Sequence, residues 1–528
     1  MQNDIEYKRS ARWNVGMIAV KRAANTPEKT AVVFEDEPLS YLTLNRESNR
    51  VAHYLQRIGL KKGDRIAVLA LNCCEFIYVY FAAAKLGLIL VPLNFRLVGP
   101  ELAYQLKDSG ARFLLFHDVF TGSLTAIKDD IPVEPDKFLY LKSLMEKAPE
   151  RPAWAKNYVD ETADLPVDEP TPDEPVHLED PLAIIYTSGV TGDPKGAVVN
   201  HVQTYFKVMN VTMGAVRGEN DVFLAQLPLF HSGGLFIGLT PALATGQTMI
   251  LRQGFDPVKF AEDIEKYQAT TVFALTTMWR FILDTGKLDD IDTSSVRTVL
   301  GGGERTPLSL IEALRERGLY MQQGFGQTEN SAMMGLGKDD VIRKQGSIGK
   351  PGWFSDIWIQ GPDGNRLPPG EIGEIVAVGP LVMSGYWNKP EMTENTIVDG
   401  VLHTGDLGYT DDEGYFYIVD RAKDMYRSGG ENVYPAEVEK ILYNHPDIRN
   451  VAIIGVADDT WGETGKAFIV PEEGKTVSLE NIHGFLDGKA ARYKWPKHAQ
   501  TIDALPMTAT GKIKKSELKK QYGVRLDS

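Results

Sequence analysis

Between residues 30 and 120, and again between 221 and 299, short β-branched runs alternate with stretches whose apolar residues recur at helical spacing. Ala31–Phe34 and Arg65–Leu69 read as strands, and Leu88–Val91 as a third. Leu44–Ile58 reads as a helix stopped by Gly59, and Glu75–Lys85 as another. Thr121–Asp130 carries no clear signal. In the second stretch Thr248–Leu251 and Thr271–Ala274 read as strands, with Pro257–Tyr267 as a helix. A strand followed by an amphipathic helix and another strand favours parallel pairing, because parallel neighbours need a long crossover. The expected class is therefore α/β with largely parallel sheets.

The pattern changes twice further on. Residues 356–420 are rich in strands and in turn signals: Pro-Asp-Gly at 362–364, Pro-Pro-Gly at 368–370 and Asp-Glu-Gly at 412–414. They predict a smaller β-rich unit. After Asp420, Pro435–Tyr443 and Leu479–Ala490 read as helices and Val451–Val456 as a strand, which suggests a separate C-terminal unit. The acidic, proline-rich stretch Pro166–Asp180 suits neither a central helix nor a central strand. It is either a linker or a long surface connection, and the strand-like run that follows at once favours the connection.

Charge and cysteine content exclude some classes of function. The 528 residues carry a net charge of -14, so the surface repels polyanions and argues against nucleic-acid binding. A few lysines and backbone nests can still hold ATP or CoA on an acidic protein. The two cysteines, Cys73 and Cys74, are adjacent. Neighbouring Cα atoms lie about 3.8 Å apart, too close for an ordinary disulfide, so both are expected as free thiols in a reducing cytosol. The longest apolar run, Phe76–Leu93, contains Lys85, Gly87 and Pro92 and reads as a buried helix followed by a strand, not as a membrane span. With no apolar signal core at the N-terminus, a cytoplasmic protein without an integral membrane segment is expected.

The sharpest local motif runs from Tyr186 to Gly196, Tyr-Thr-Ser-Gly-Val-Thr-Gly-Asp-Pro-Lys-Gly, directly after the apolar run Leu182–Ile185. A Gly/Ser/Thr loop after a strand can wrap phosphates with N–H groups and hydroxyls, and a lysine adds charge. A nucleoside-triphosphatase P-loop needs four residues between its glycines and then Lys-Ser/Thr. Here Lys195 is followed by Gly196 and the spacing fails.

This loop resembles the signature of the adenylate-forming superfamily, which includes acyl-CoA synthetases, peptide-synthetase adenylation domains and luciferases. Four further segments resemble that family and occur in its order: Gly324–Glu329 (Gly-Phe-Gly-Gln-Thr-Glu), His403–Asp406 (His-Thr-Gly-Asp), Asp420–Asp424 with Ser428–Asn432 and Tyr434–Glu439, and Pro506–Lys512. The likeness spans the chain from about Asn25 onward, and chance agreement across five ordered motifs is negligible. One departure is Val190, where the family usually has a hydroxyl residue.

The resemblance implies a large N-terminal domain of α/β subdomains plus a β-rich subdomain, residues 1–421. A small mobile α+β C-terminal domain would follow over 422–528, hinged near Lys423. It implies an ATP-dependent acyl-CoA synthetase, most like a fatty-acid or carbocyclic-acid CoA ligase. Such an enzyme converts a carboxylic acid to acyl-AMP with release of pyrophosphate and then passes the acyl group to CoA. The first step is an in-line displacement at the α-phosphorus, so it needs positioning and charge neutralisation more than a protein nucleophile.

By the same resemblance Thr187, Ser188, Gly189, Thr191, Gly192 and Lys195 bind phosphate. Gly302, Gly303 and Phe325 flank the adenine, and Gly324, Gly326 and Thr328 complete the second nucleotide motif. Glu329 holds Mg2+, Asp406 takes the ribose hydroxyls and Arg421 supports ribose or phosphate. Lys512 is the catalytic lysine that bridges carboxylate and α-phosphate; Thr187, Glu329 and His231 are the other residues assigned to catalysis. Gly429 and Gly430 are assigned to cofactor binding, and Gly430 lines the passage for the pantetheine arm. His231, in Pro228–Gly234, belongs beside the acyl site, with gating favoured over general-base chemistry. The acyl pocket is assigned to His231, Met278, Trp279, Gly302, Met333 and Met334, whose apolar and adaptable side chains suit a medium-chain fatty, alicyclic or aromatic acid.

Three rival readings are weaker. Amino-acid-activating members usually carry an aspartate near His231, and Pro228–Gly234 has none. A luciferase would need a luciferin. A catalytically dead binding protein would not be expected to keep Glu329, Asp406 and Lys512 together. No matched basic residue points to a dicarboxylate. Free CoA is the expected acceptor, the alternative being the phosphopantetheine of a carrier protein. A homodimer is the family expectation.

Overall fold

The computed structural model describes residues 13–145, 149–187, 194–215, 218–302, 306–331, 334–421, 424–428, 431–458, 461–487, 489–490, 492–508 and 513–522. Four sheets organise them. The eight-stranded sheet runs in the order Gly385–Tyr386, Lys195–Asn200, Pro181–Thr187, Ile89–Pro92, Arg65–Leu69, Phe113–His117, Phe138–Leu141, Lys156–Asn157. The pairs among its central strands are parallel. Arg65–Leu69 sits between Ile89–Pro92 and Phe113–His117, and such near-continuous apolar runs are what a strand covered on both faces requires.

The helices on this sheet follow from the sequence. Tyr41–Arg57 starts where Ser40 Oγ accepts the Thr43 N–H at 3.2 Å. Cys74–Leu86 ends at Gly87, whose φ of 69° is left-handed. That helix is apolar on every side and buried from Phe76 to Leu86, as a core helix must be. Lys85, the one charged residue of that buried stretch, is held by Asn45 at 2.7 Å and Glu169 at 2.8 Å. Glu169 belongs to the acidic proline-rich stretch. That stretch joins Lys156–Asn157 to Pro181–Thr187 within one sheet, so it is a surface connection and not a linker between domains. Cys73 and Cys74 are free thiols, but Cys73 stands at the N-cap of the helix rather than inside it.

The nine-stranded sheet has the order Lys350–Pro351, Met334–Gly335, Met321–Phe325, Thr298–Gly302, Thr271–Phe273, Val222–Leu224, Thr248–Leu251, Thr30–Phe34, Glu37–Ser40. From Met321–Phe325 to Thr30–Phe34 every neighbouring pair is parallel. One large apolar core spans both of these sheets and their helices. The weakly signalled Thr121–Asp130 forms two short helical pieces, Thr121–Thr125 and Lys128–Asp130.

The β-rich unit is a sheet of Asp356–Gln360, Gly373–Val378, Val401–Thr410 and Ile397–Val398, with Phe416–Arg421 paired to Val401–Thr410. The last sheet holds Glu431–Val433, Tyr426–Ser428, Gly462–Pro471, Ile448–Asp458 and His498–Thr501, with helices Pro435–Leu442, Leu479–Leu486 and Lys515–Tyr522. Large α/β sheets followed by a smaller α+β unit are the architecture the motifs imply. Lys423 falls between the β-rich sheet and this last one, outside the described residues. No described helix is long and apolar enough to cross a membrane.

Candidate active site

Parallel strands all end on the same edge of their sheet, and ligands of open α/β sheets bind beyond that edge. Four adjacent parallel strands of the nine-stranded sheet feed the site in this way. Val222–Leu224 leads to Pro228–His231, and Thr271–Phe273 to the helix Thr276–Asp284 with Met278 and Trp279. Thr298–Gly302 leads to Gly302, and Met321–Phe325 to Gly326–Glu329. Gly302 pairs with Gly324, and a Cβ at Gly302 would stand 2.8 Å from the Gly324 carbonyl oxygen. Its φ of 154° is a further reason for glycine here.

The second sheet supplies the charge. Pro181–Thr187 and Lys195–Asn200 pair antiparallel, with Thr187 opposite Lys195. Gly385–Tyr386 adds to the other edge, with Tyr386 opposite Ala197, and the Trp387 N–H donates to the Gly196 carbonyl at 2.8 Å. This pairing puts Tyr386 against Lys195, whose ammonium hydrogen-bonds the phenol oxygen. The Tyr386 hydroxyl donates to Glu329 Oε1 at 2.8 Å, and Lys195 Nζ lies 3.6 Å from the same oxygen. Burial, reinforced by the Glu329 charge, raises the Tyr386 phenol well above its ordinary value, so it stays a donor. Thr187 Oγ1 turns back to the Lys195 carbonyl at 3.4 Å.

The turn after Phe325 links this cluster to the β-rich sheet. The Gln327 N–H donates to Asn330 Oδ1 at 2.7 Å, and the Ser331 N–H donates to the Gln327 carbonyl at 2.6 Å. Ser331 has a φ of 42°, a left-handed conformation rare outside glycine and commonest at functional sites. The Gln327 amide donates to Asp406 Oδ2 at 2.6 Å and to the Thr404 carbonyl at 2.9 Å. Asp406 (4% exposed) pairs across the sheet with Arg421. Glu329 (8% exposed) is pinned through its carbonyl by the Met383 N–H at 2.6 Å, and Thr328 beside it is buried.

On the other side, His231 Nδ1 accepts the Gly233 N–H at 3.1 Å, so in the neutral ring the proton is on Nε2. A π-helical segment, Gly233–Leu239, begins two residues later, and such segments are frequent at functional sites. Met278 is buried, and Trp279 is fully buried with its ring edge-to-face on Phe260. Phe325 and Met334 are paired across adjacent strands, and both are buried.

The structure therefore joins Lys195 to Glu329, Glu329 to Asp406 through the Gln327 turn, and Gly302 to Gly324. Ser188, Gly189, Thr191, Gly192, Gly303, Met333, Lys423, Gly429, Gly430 and Lys512 lie outside the described residues, as does the side chain of Arg421. Sequence reasoning missed Tyr386 and gave Gln327 no role. Gln327 sits inside a recognised motif and was available. Tyr386 had no signal, since only an edge strand far along the chain from that antiparallel pair brings it to Lys195.

This site marks an enzyme of the adenylate-forming ligase class. The chain belongs to the AMP-binding enzyme family: residues 20–387 match that family's model, and residues 437–512 match the AMP-binding enzyme C-terminal domain. It is 39% identical over 510 residues to a feruloyl-CoA synthase of Amycolatopsis sp, covering 96% of this chain and 99% of the relative. It is 34% identical to an indoleacetate–CoA ligase of Aromatoleum aromaticum, covering 94% and 96%. Among solved structures it resembles the o-succinylbenzoate CoA synthetase of Bacillus subtilis in complex with its acyl-adenylate, with a TM-score of 0.84, 33% identity and coverage of 96% and 99%. The same synthetase bound to ATP and magnesium matches with a TM-score of 0.83, 32% identity and coverage of 95% and 99%.

Proposed function

We propose that the protein is an ATP-dependent acyl-CoA synthetase. It activates a medium-chain fatty, alicyclic or aromatic acid as acyl-AMP with release of pyrophosphate, then transfers the acyl group to CoA. The observation that carries this reading is the single polar assembly in which Lys195, Tyr386 and Glu329 are tied through Gln327 to Asp406. It offers one ammonium and one carboxylate suited to a triphosphate and its cation, and a second carboxylate suited to ribose hydroxyls. Lys195 neutralises phosphate charge. Tyr386 keeps Lys195 and Glu329 apart by one hydroxyl, so that neither is spent wholly on the other.

Mg2+ takes one or two protein carboxylates and completes its shell with water and phosphate oxygens. A lone hard donor such as Glu329 fits that habit, and the bound ion would supply neutralisation of the triphosphate. Asp406 accepts from the ribose. Gly302 and Gly324 leave a flat surface for the base. Lys512 contributes a flexible charge to the adenylation step, with Gly430 on the thiol's path. The relatives named for feruloyl, indoleacetate and o-succinylbenzoate CoA synthesis support an aromatic acid within the proposed range. Two free thiols suit a reducing cytoplasm.

Acid-dependent ATP–pyrophosphate exchange across fatty, alicyclic and aromatic acids, acetate and amino acids tests the first half-reaction. Thioester formation with CoA against a phosphopantetheine-loaded carrier protein tests the second. A clear preference for acetate or an amino acid overturns the substrate class, and turnover only with the carrier protein overturns CoA as acceptor.

A further inference from the structure

Lys207 lies on the helix His201–Ala215 with 1% of its surface exposed. Its Nζ has no hydrogen-bond partner among the described residues and stands 5.0 Å from the centre of the Phe236 ring. Burial alone pushes its ammonium down to about 7. An unpaired buried charge is costly, and a methionine of similar length would fill the same space without that penalty. Apart from the face of the Phe236 ring, packing gives no reason for a lysine here.

Its position gives one. Phe236 belongs to the π-helical segment that begins just after His231. One turn before Lys207, Gln203 hydrogen-bonds the Val382 carbonyl, and one turn after it Asn210 abuts Gly352. Met383, next to Val382, holds the Glu329 carbonyl. The helix thus forms a wall between the His231 segment and the Glu329–Ser331 segment. From the latter, Asn330 Nδ2 and Ser331 Oγ are also buried without partners among the described residues. Unpaired polar atoms on both flanks of the acyl site call for an explanation that apolar packing does not supply.

We propose that Lys207 reads the far end of the acyl group: its ammonium donates to an oxygen acceptor, a phenol oxygen or a second carboxylate, carried by an apolar body that packs on Phe236. This rests on the acid-activating reading above and narrows its substrate class. A site built to pair with a polar group rejects the analogue lacking it, because its own buried donor is then left unsatisfied.

The test is pyrophosphate exchange with three matched acids: 3-phenylpropanoate, 3-(4-hydroxyphenyl)propanoate and 3-(4-carboxyphenyl)propanoate. Wild type is compared with Lys207→Met and Lys207→Gln. Wild type is expected to favour at least one oxygen-bearing acid over the plain acid by about tenfold or more in kcat/KM. Lys207→Met should lose that preference, chiefly through KM, and keep its rate on the plain acid. Lys207→Gln should retain part of the preference for the phenol and none for the carboxylate, which tells the two acceptors apart. Without acid, Lys207→Met should melt at a higher temperature than wild type. The same ranking of acids in wild type and Lys207→Met overturns the inference alone, as does a folded Lys207→Met inactive on every acid. Failure of wild type to activate any acid, fatty and alicyclic ones included, overturns the ligase reading and this inference with it.

Discussion

Gln327, in the turn after the Met321–Phe325 strand, and Asp406, on a strand of another sheet, are joined by a 2.6 Å hydrogen bond from the side-chain amide to Oδ2. The bond couples the turn that carries Glu329 to the strand that carries the proposed ribose ligand. Replacing Asp406 by Ala removes both the acceptor for the ribose and the anchor for Gln327. Charge-assisted hydrogen bonds contribute about 1.5–3 kcal/mol, so ATP affinity should fall by roughly 10- to 100-fold. Calorimetric titration with a non-hydrolysable ATP analogue measures this, and unchanged affinity would remove Asp406 from the site.

Tyr386→Phe deletes the hydroxyl between Lys195 and Glu329 without opening a cavity. Glu329 Oε1 then loses its 2.8 Å donor while remaining buried. Leaving such a group short of a partner costs about 1–3 kcal/mol. The variant should unfold at lower urea and show slower pyrophosphate exchange. Wild-type behaviour in both assays would mean that the phenol is incidental to the cluster.

Two buried histidines should set the mild-acid stability. His117 accepts the Leu71 N–H at 3.0 Å and His201 accepts the Val15 N–H at 3.1 Å, each through Nδ1. Burial lowers both rings from 6.5 to about 4. The unfolded chain takes up these protons near pH 6.5 and the folded chain refuses them until about 4. Stability is therefore full above about 6.5 and falls as the pH drops toward 4, by up to about 3 kcal/mol per ring. Urea midpoints between pH 7 and 5 should show the decline, and the double variant His117→Gln/His201→Gln should flatten it. An equally steep decline in that variant would assign the effect elsewhere.

The two half-reactions should separate by residue. Lys512→Ala is expected to lose acid-dependent adenylate formation by orders of magnitude and still convert a supplied acyl-adenylate and CoA to thioester. Gly430→Leu should do the reverse, since a side chain there would obstruct the pantetheine passage. Lys423→Pro, which fixes φ and removes an N–H, should impair one half-reaction more than folding. Normal adenylation by Lys512→Ala, or normal transfer by Gly430→Leu, would refute the assignment for that residue.

The sequence by itself determined the elements and the chemistry that is local to a motif. Arg65–Leu69 is a strand with the bounds its apolar run implied, and the Phe76–Leu93 run is a buried helix followed by a strand. Period and punctuation carry that information because they act within a few residues. The Gly324–Glu329 and His403–Asp406 motifs, through their resemblance to the adenylate-forming superfamily, likewise pointed to an acid-activating chemistry. Only the tertiary structure decided which groups face one another. Tyr386 reaches Lys195 because an edge strand pairs with the far side of the Lys195–Asn200 strand. Gln327 reaches Asp406 because a turn on one sheet abuts a strand of another. Lys207 carries no signal of its own in the sequence, and only helix packing encloses it against Phe236. These contacts join residues 79 to 191 positions apart for the Gln327–Asp406 and Lys195–Tyr386 pairs, and at such separations no local periodicity records the partner; burial, pairing register and the cost of an unpartnered charge exist only once the chain has closed on itself.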